Sequence, residues 1–151
     1  MKMLVLCHGN INRSPSCEAV LKDEGLDVVS AGFKMSQKCA SKKMRDAMAV
    51  YGYDLLEHKP QLVTQELVDW ADQVVIMDGG NRKRFYALFP HDTDKLYCLA
   101  DVVAKTRIPD PAFMRKDSKE FHDVVGLIVG ASLVLANRTK EITIFPSKGI
   151  V

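Results

Sequence analysis

The stretch CHGNINRSP, residues 7–15, follows directly on the apolar run MLVL, residues 3–6, and the two together decide the fold. The apolar run does not alternate with polar residues, which is typical of a central parallel strand covered on both faces. Ser14 is a plausible N-cap, and Pro15 suits the first position of a helix that ends at Gly25. The chain therefore begins with a strand, a loop and a helix.

Strand and helix signals keep alternating along the rest of the chain. Short apolar runs bounded by turn residues predict three more strands, at residues 26–30, 73–77 and 95–99. Apolar residues at helical spacing, with capping and stop signals, predict helices at residues 41–51, 64–70, 82–89 and 117–138. Residues 100–116 follow neither period and are predicted to form a long ordered loop of the kind that carries function. This order predicts an α/β domain with a parallel sheet and a ligand site beyond the carboxyl ends of its strands.

Composition limits the class of protein. The 151 residues are 47% apolar and 26% charged, which suits one globular domain. A net charge of +2 is too small for bulk attraction to nucleic acid or to a membrane. The first apolar run is shorter than a signal-peptide core, and the longest one, at residues 124–136, is too short to span a bilayer, so a cytoplasmic protein is expected. The four cysteines form no C-x-x-C pair or Cys/His cluster, and we expect no metal and no other cofactor.

The loop after the first strand has the make-up of an oxyanion cradle. Its backbone N–H groups can point inward, and the start of the following helix adds partial positive charge. Arg13 could hold two phosphate oxygens with its planar fork, Gly9 permits close approach of the backbone, and Asn10 can brace the loop. The candidate phosphate-binding residues are therefore His8, Gly9, Asn10, Ile11, Asn12 and Arg13.

Cys7 stands in the same positive environment, which favours a thiolate and hence a nucleophile. Ser14 could donate a hydrogen bond to this sulfur and ease its departure in a second step. An isolated cysteine is more often a buried thiol, and an isolated arginine more often a surface residue. The strand before the loop and the Ser-Pro helix start after it make that interpretation the minority one.

The loop resembles the C-x-x-x-x-x-R-[ST]-P signature of the low-molecular-weight protein tyrosine phosphatases, whose usual wording is close to C-x-G-N-I-C-R-S-P. The resemblance continues in the family's order over roughly residues 3–138. Ser30-Ala31-Gly32 is similar to the S-A-G that follows the second strand, Met77-Asp78 to the family's M-D, and Asp110-Pro111 to its D-P acid loop.

The resemblance implies hydrolysis of phosphotyrosine or aryl phosphates through a cysteinyl-phosphate intermediate. Cys7 would attack phosphorus while Arg13 and the loop amides hold the equatorial oxygens. Asp110 would protonate the leaving phenolate and then take a proton from the attacking water. From the residues alone, the Pro109-Asp110-Pro111 sequence could hold a carboxyl out from the loop or be a plain turn, and the two interpretations are about even.

Other positions carry over from the resemblance as supporting residues. Ser30 and His58 would brace Asn10 and the loop, although His58 could equally be a surface histidine. His8 and Phe113 would line the pocket wall. The family often has a second cysteine where this chain has Asn12, so its intraloop disulfide with Cys7 cannot form here.

We therefore predict a single phosphatase domain over residues 1–151, with a four-stranded parallel sheet in the order 2-1-3-4 flanked by helices on both faces. Residues 140–151 are predicted to hold a short strand, at 142–145, or a tail. The expected partner is a phosphotyrosine protein or a small aryl phosphate, with phosphate or a similar oxyanion in the loop. We expect a monomer or weak dimer without nucleic-acid or membrane partners.

Two other functions remain open at this point. An arsenate reductase of the same fold would need further thiols to relay a disulfide, and this chain has only the scattered Cys17, Cys39 and Cys98. A phosphate-binding module that has lost its activity is the second alternative. A basic cluster at residues 34–45 is either a solvated face or a surface that attracts acidic substrates.

Overall fold

The computed structural model describes residues 1–144. Its strands are β1 (Lys2–Cys7), β2 (Asp27–Gly32), β3 (Gln73–Ile76) and β4 (Leu96–Cys98). Its helices are α1 (Arg13–Asp23), α2 (Lys42–Val50), α3 (Gln65–Trp70), α4 (Gly79–Leu88) and α5 (Lys119–Ile144). Two short 3-10 turns, Thr93–Lys95 and Leu99–Val103, flank β4.

The four strands form one parallel sheet in the order β2-β1-β3-β4, which confirms the predicted fold. Successive side chains of a strand point to opposite faces of its sheet. Met3, Leu4, Val5 and Leu6 are all 0% exposed, so helices cover both faces of β1. At its carboxyl end, Cys7 pairs with Gly32, the last residue of β2. The sheet thus delivers the loop of residues 8–12 to the edge where ligand sites of this architecture lie.

Two helices begin earlier than predicted, each for its own reason. Ser14 does not cap α1, which already begins at Arg13, and the Ser14 hydroxyl lies 2.9 Å from Cys7 Sγ instead. The helix α4 begins at Gly79 because the Asp78 carboxylate caps it, with Oδ1 accepting a hydrogen bond from the N–H of Asn81 at 2.8 Å. The predicted cap of α3 is confirmed, since Thr64 Oγ1 accepts from the N–H of Leu67 at 3.2 Å.

The final helix is longer than predicted. It continues past Arg138 to Ile144, so a strand at residues 142–144 is wrong, and residues 145–151 lie outside the described part of the chain. Lys140 near this end forms an ion pair with Glu24 of the α1 C-cap at 3.4 Å. By length and composition alone, Lys119–Ile142 could cross a membrane, but 50% of its most apolar window is buried inside the protein, as in a core helix.

The loop predicted at residues 100–116 begins later than expected. Its first residues belong to the 3-10 turn Leu99–Val103, which ends at Ala104 in the left-handed conformation, with φ 55°. Further along, the loop returns to the sheet, because the N–H of Ile108 donates to the carbonyl of Met77 just after β3 at 2.8 Å. This contact brings the Pro109-Asp110-Pro111 segment to the same edge as Cys7.

Candidate active site

In the loop after β1, backbone carbonyl oxygens point away from the centre of the loop and accept hydrogen bonds from other parts of the chain. The carbonyl of His8 accepts from the N–H groups of Phe33 and Lys34, at 2.9 and 3.0 Å. The carbonyl of Ile11 accepts from the N–H of Ser41 at 3.0 Å. In a trans peptide the N–H points opposite to the C=O, and the described residues contain no cis peptide. The amides that follow these carbonyls are therefore directed toward the inside of the loop.

Asn10 braces the loop with every polar atom of its side chain. It adopts the left-handed conformation, with φ 55°, and is 0% exposed. Its Nδ2 donates to Ser14 Oγ at 2.8 Å and to Ser30 Oγ at 2.9 Å, while its Oδ1 accepts from the N–H of Gln61 at 3.0 Å. His58 Nε2 donates to the Asn10 carbonyl at 2.7 Å. The predicted supporting residues Ser14, Ser30 and His58 thus meet at one buried asparagine.

Behind this brace lies Glu18, which the sequence analysis did not identify. Its carboxylate accepts from the Ser30 hydroxyl at 2.9 Å and from the Ser30 N–H at 3.1 Å, and it lies 3.6 Å from His58 Nδ1. Burial raises the pKa of Glu18, but hydrogen bonding to His58, the charge of Lys22 and the bond from Ser30 outweigh it and hold this pKa below its usual range. The charged carboxylate therefore orients two supporting residues. In the sequence, Glu18 is only the residue after Cys17 on the first helix, and no local pattern indicates its contacts.

Cys7 lies at the base of the loop and is 2% exposed. Its Sγ is 2.9 Å from Ser14 Oγ and 3.5 Å from the N–H of Ser14 in the first turn of α1. Because the Ser14 hydroxyl already accepts a hydrogen bond from Asn10, its own proton is available to the sulfur. Two hydrogen-bond donors at the start of α1 therefore point at this sulfur.

Arg13 is 2% exposed, and its orientation is fixed by neighbours on two other segments. Its Nη1 donates to Asp78 Oδ2 at 2.6 Å and to the carbonyl of Ile108 at 2.9 Å. Burial raises the pKa of Asp78, but the hydrogen bonds from Arg13 and from the N–H of Asn81 outweigh it, and the pKa lies below its usual value. A buried arginine with a charged partner is thus held in one orientation.

Asp110 lies on the far wall of the same pocket. Its Oδ2 is 3.5 Å from Arg13 Nη2, and its Oδ1 accepts from the N–H of Ala112 at 3.0 Å. The carboxylate remains 41% exposed, so it faces solvent. The sequence had left Asp110 between an acid and a plain turn residue, and the structure brings it beside Arg13.

These groups surround one pocket of about 120 Å³. Its lining includes Cys7, Arg13 and Asp110, with Ile11 and Ala112 as apolar wall residues. His8 also lines the pocket, and its Nδ1 accepts a hydrogen bond from Arg84 of α4 at 2.8 Å.

Phe113 is not at this pocket, contrary to the prediction. The turn that Asp110 closes with the N–H of Ala112 places Ala112 in the lining, while the Phe113 side chain is fully exposed. Ser36, which the sequence analysis did not single out, lines the pocket on the side of β2. Among residues 1–144, no group of three or more His, Cys, Asp or Glu side chains could hold a metal ion.

Comparison with known proteins identifies the family. The model of the family described as low molecular weight phosphotyrosine protein phosphatase matches residues 2–142. The chain belongs to this family. A probable low molecular weight protein-tyrosine-phosphatase EpsP of Ralstonia solanacearum is 34% identical over 129 residues, which cover 83% of this chain and 87% of that protein.

Two further members of this phosphatase family bear on the substrate. A protein-arginine-phosphatase of Geobacillus stearothermophilus is 32% identical over 116 residues, which cover 73% of this chain and 78% of that protein. The structure of Vibrio vulnificus Wzb in complex with benzylphosphonate is similar with a TM-score of 0.84 at 27% identity, covering 91% of this chain and 97% of that one.

Within the low molecular weight phosphatase family, this chain departs from the usual loop at Asn12. Where the pattern C-x-G-N-I-C-R-S-P has a second cysteine, Asn12 Oδ1 accepts a hydrogen bond from the Ser41 hydroxyl. The Asn12 carbonyl accepts from Ser16 Oγ at 2.7 Å. The asparagine therefore ties the loop to the start of α2, and it offers no thiol to Cys7.

Proposed function

We propose that this phosphatase hydrolyses phosphotyrosine in proteins, and other aryl phosphates, through a cysteinyl-phosphate on Cys7. The observation that carries the proposal is the meeting of Cys7, Arg13 and Asp110 in one pocket whose loop carbonyls are tied outward. A nucleophile, a cationic fork and an acid are the three groups that a phosphoryl transfer through cysteine requires.

In the proposed binding step, the phosphate enters the loop and its oxygens accept from the inward amides. Both hydrogens of Arg13 Nη1 are used by Asp78 and Ile108, which leaves the edge formed by Nε and Nη2 for two equatorial oxygens. This fixed fork does not have to reorganise as charge builds up in the transition state.

In the proposed chemical steps, the thiolate of Cys7 attacks phosphorus in line. The S–P bond forms as the P–O bond to the aryl group breaks, and Asp110 gives its proton to the departing oxygen. A water then attacks phosphorus, Asp110 takes its proton, and the S–P bond breaks to return the thiolate. The Ser14 hydroxyl, 2.9 Å from Sγ, stabilises the sulfur as it leaves.

The first test removes the nucleophile. Cys7→Ser is expected to lower the turnover of p-nitrophenyl phosphate by about 10⁴-fold or more, because a neutral serine hydroxyl is a far weaker nucleophile than a thiolate. Binding of inorganic phosphate, measured by calorimetry, should persist, since the loop and Arg13 remain. Cys39→Ser is the matched control, because Cys39 is exposed, and it should keep full activity. Substantial turnover by Cys7→Ser would reject the mechanism.

A second experiment decides between a tyrosine and an arginine substrate, since relatives are named for each activity. The apolar side chains of Ile11 and Ala112 on the wall favour an aryl ring. A phosphoarginine guanidinium would need acceptors there, and the carboxylate in this wall, Asp110, already faces Arg13 at 3.5 Å. We expect kcat/KM for a phosphotyrosine peptide to exceed that for the matched phosphoarginine peptide at least ~100-fold, because the guanidinium of phosphoarginine would be left without hydrogen-bond acceptors in this wall. The reverse order would make arginine the substrate.

Arsenate reduction is disfavoured by the remaining thiols. Burial raises the pKa of Cys17 to about 12, and burial also raises the pKa of Cys98. A disulfide relay needs thiolates that form near neutral pH and can reach one another. A cytoplasmic location, a monomeric or weakly dimeric state, and a lack of nucleic-acid and membrane partners remain predictions from the sequence.

A further inference from the structure

Lys43 on α2 makes three hydrogen bonds to the loop that carries Asp110. Its Nζ donates to the carbonyl oxygens of Pro111 at 2.5 Å, Ala112 at 2.9 Å and Met114 at 2.8 Å. An ammonium group has three hydrogens, so these bonds use its full donor capacity. The same Nζ lies 5.5 Å from the centre of the Phe121 ring in the first turns of α5. One side chain thus joins α2, the Asp110 loop and α5.

On its downstream side the Asp110 loop has a buried Pro111 and a partly buried Met114, and the hydrogen bonds that tie this side to another element of the described chain come from Lys43. On the upstream side, Ile108 is fixed by its N–H bond to the Met77 carbonyl and by Arg13 at its own carbonyl. The loop also borders an open cleft of about 600 Å³, whose lining includes Pro109, Asp110 and Met114. The cleft leaves this part of the loop without a packed layer of protein over it.

Geometry places the Lys43 contacts directly after the acid. Pro111 and Ala112 follow Asp110 in the chain, and the N–H of Ala112 donates to Asp110 Oδ1 at 3.0 Å. The carbonyls on either side of that N–H, those of Pro111 and Ala112, are two of the three that Lys43 binds. Moving these peptides would move the hydrogen bond that orients the carboxylate.

From these contacts we infer that Lys43 is a positioning residue, which holds the Asp110 carboxyl at the leaving-group oxygen. The inference rests on the proposed function, because it assigns to Lys43 the placement of the proposed acid. It also revises the role of the basic cluster at residues 34–45. Lys43 is committed to backbone carbonyls within the protein, whereas its neighbour Lys42 pairs with Asp46 on the exposed face of the helix at 2.7 Å.

The test compares two substrates that differ in their need for an acid. Phenyl phosphate releases a phenolate as basic as that of tyrosine, with a pKa of about 10, which must be protonated as it leaves. The phenolate of 2,4-dinitrophenyl phosphate is weakly basic and departs without a proton. The parameter is kcat/KM, since it reports the steps up to the transfer of phosphate to Cys7.

The variant Lys43→Met removes the donors and keeps most of the length of the unbranched side chain. We expect kcat/KM for phenyl phosphate to fall about tenfold or more, part of the ~10²–10⁴-fold that a general acid supplies. For 2,4-dinitrophenyl phosphate we expect a change of less than about threefold, because Cys7 and Arg13 are untouched. Lys42→Met is the matched control on the adjacent residue and should leave both values unchanged. If Lys43→Met does not yield folded protein, Lys43→Gln, with two donors on a side chain shorter than that of lysine, is measured instead. The same difference between the two substrates is expected.

A double-variant arm separates positioning from general stability. In an Asp110→Asn background the acid is already lost, so adding Lys43→Met should lower kcat/KM for phenyl phosphate no further. Equal losses on both substrates, no loss on either, or a full additional loss in the Asp110→Asn background would overturn the inference. Failure of the proposed function would look different, because the unmodified protein would then hydrolyse neither substrate through Cys7.

Discussion

At the scale of single residues, one carboxylate does most to balance the charge of Arg13. Arg13 is 2% exposed, so it must be satisfied within the protein, and Asp78 at 2.6 Å is its nearest carboxylate. Asp110 lies farther away, at 3.5 Å, and is itself 41% exposed. Asp78 also caps α4 through Asn81. Asp78, the second residue after β3, therefore serves both the helix α4 and the buried guanidinium of Arg13.

This arrangement predicts the effect of Asp78→Asn. The neutral amide cannot balance the Arg13 charge, so we expect a loss of about 1–3 kcal/mol of unfolding free energy, the cost of leaving a buried group poorly satisfied. We expect kcat/KM for p-nitrophenyl phosphate to fall at least about tenfold, because the fork is then free to turn toward Asp110. Urea unfolding and steady-state kinetics measure the two effects.

The matched control for this variant is Asp46→Asn. Asp46 also pairs with a cation, but both partners are exposed, at 61% for Asp46 and 77% for Lys42. Exposed ion pairs contribute little, so both readouts should stay near those of the unmodified protein. A similar small effect for Asp78→Asn would mean that Ile108 alone suffices to orient Arg13.

At the scale of elements, the positions and order of the strands followed from the sequence, and most helix ends did so less well. A strand such as β1 can be recognised from its sequence, because burial on both faces requires an unbroken apolar run. The start of a helix depends on which side chain caps it, and tertiary partners compete for that side chain. The Ser14 hydroxyl contacts Cys7 and Asn10 and therefore does not cap α1 as predicted. Asp78, predicted only as a turn residue, caps α4 instead.

In the candidate active site, too, some residues could be predicted from the sequence and others could not. The loop residues and Asp110 were predicted because they lie within short motifs that a family pattern can match. Glu18 and Lys43 were not assigned their contacts, because each sits at a helical position that also suits a surface charge. Their partners, Ser30 and the carbonyls after Asp110, come from distant segments. Only the folded chain brings these groups together.

The junction of β2 with the loop predicts a second stability effect. A Cβ at Gly32 would lie 2.9 Å from the Asn10 nitrogen and 3.0 Å from the carbonyl carbon of Gly9. Gly32 cannot withdraw, because its N–H donates to the Gln61 carbonyl and its own carbonyl accepts from Val63, both at 2.8 Å. We therefore expect Gly32→Ala to destabilise the protein by about 1–3 kcal/mol, the usual cost of overpacking. Thermal unfolding and the kcat/KM of p-nitrophenyl phosphate, which should fall as the loop shifts, are the readouts.

A matched glycine on α5 should respond in the opposite direction. Gly130 is exposed within the helix, and a Cβ there would meet no atom within 4 Å. Because alanine is the better helix former, we expect Gly130→Ala to stabilise the protein by about 0.5–1 kcal/mol without affecting activity. If Gly32→Ala behaved like Gly130→Ala, the close approach of β2 to the loop would not be a constraint.

At the scale of the whole molecule, two partly buried carboxylates link stability to pH. The pKa of Glu18 and that of Asp78 both lie below their usual values in the folded protein. In the unfolded chain these groups return to about 4.3 and 3.9. Between the folded and unfolded values the unfolded chain binds more protons, so the unfolding free energy rises with pH across this window. The stabilisation is fully present above the unfolded values and is lost as the pH falls through the folded ones.

The variant Glu18→Gln tests this link and the role of the carboxylate behind the loop. At pH 7 we expect it to be less stable by about 1–3 kcal/mol, because the amide keeps the acceptor for Ser30 but loses the charge facing His58 and Lys22. As the pH falls below the unfolded value of about 4.3, the unfolded chain binds this proton before the folded protein does, and the two proteins should converge in stability at up to about 1.4 kcal/mol per pH unit. Urea unfolding from pH 7 down to the acid transition measures the difference. A gap that stayed constant with pH would show that Glu18 contributes through packing, and the brace formed by Ser30, His58 and Asn10 would then hold the loop without a buried charge behind it.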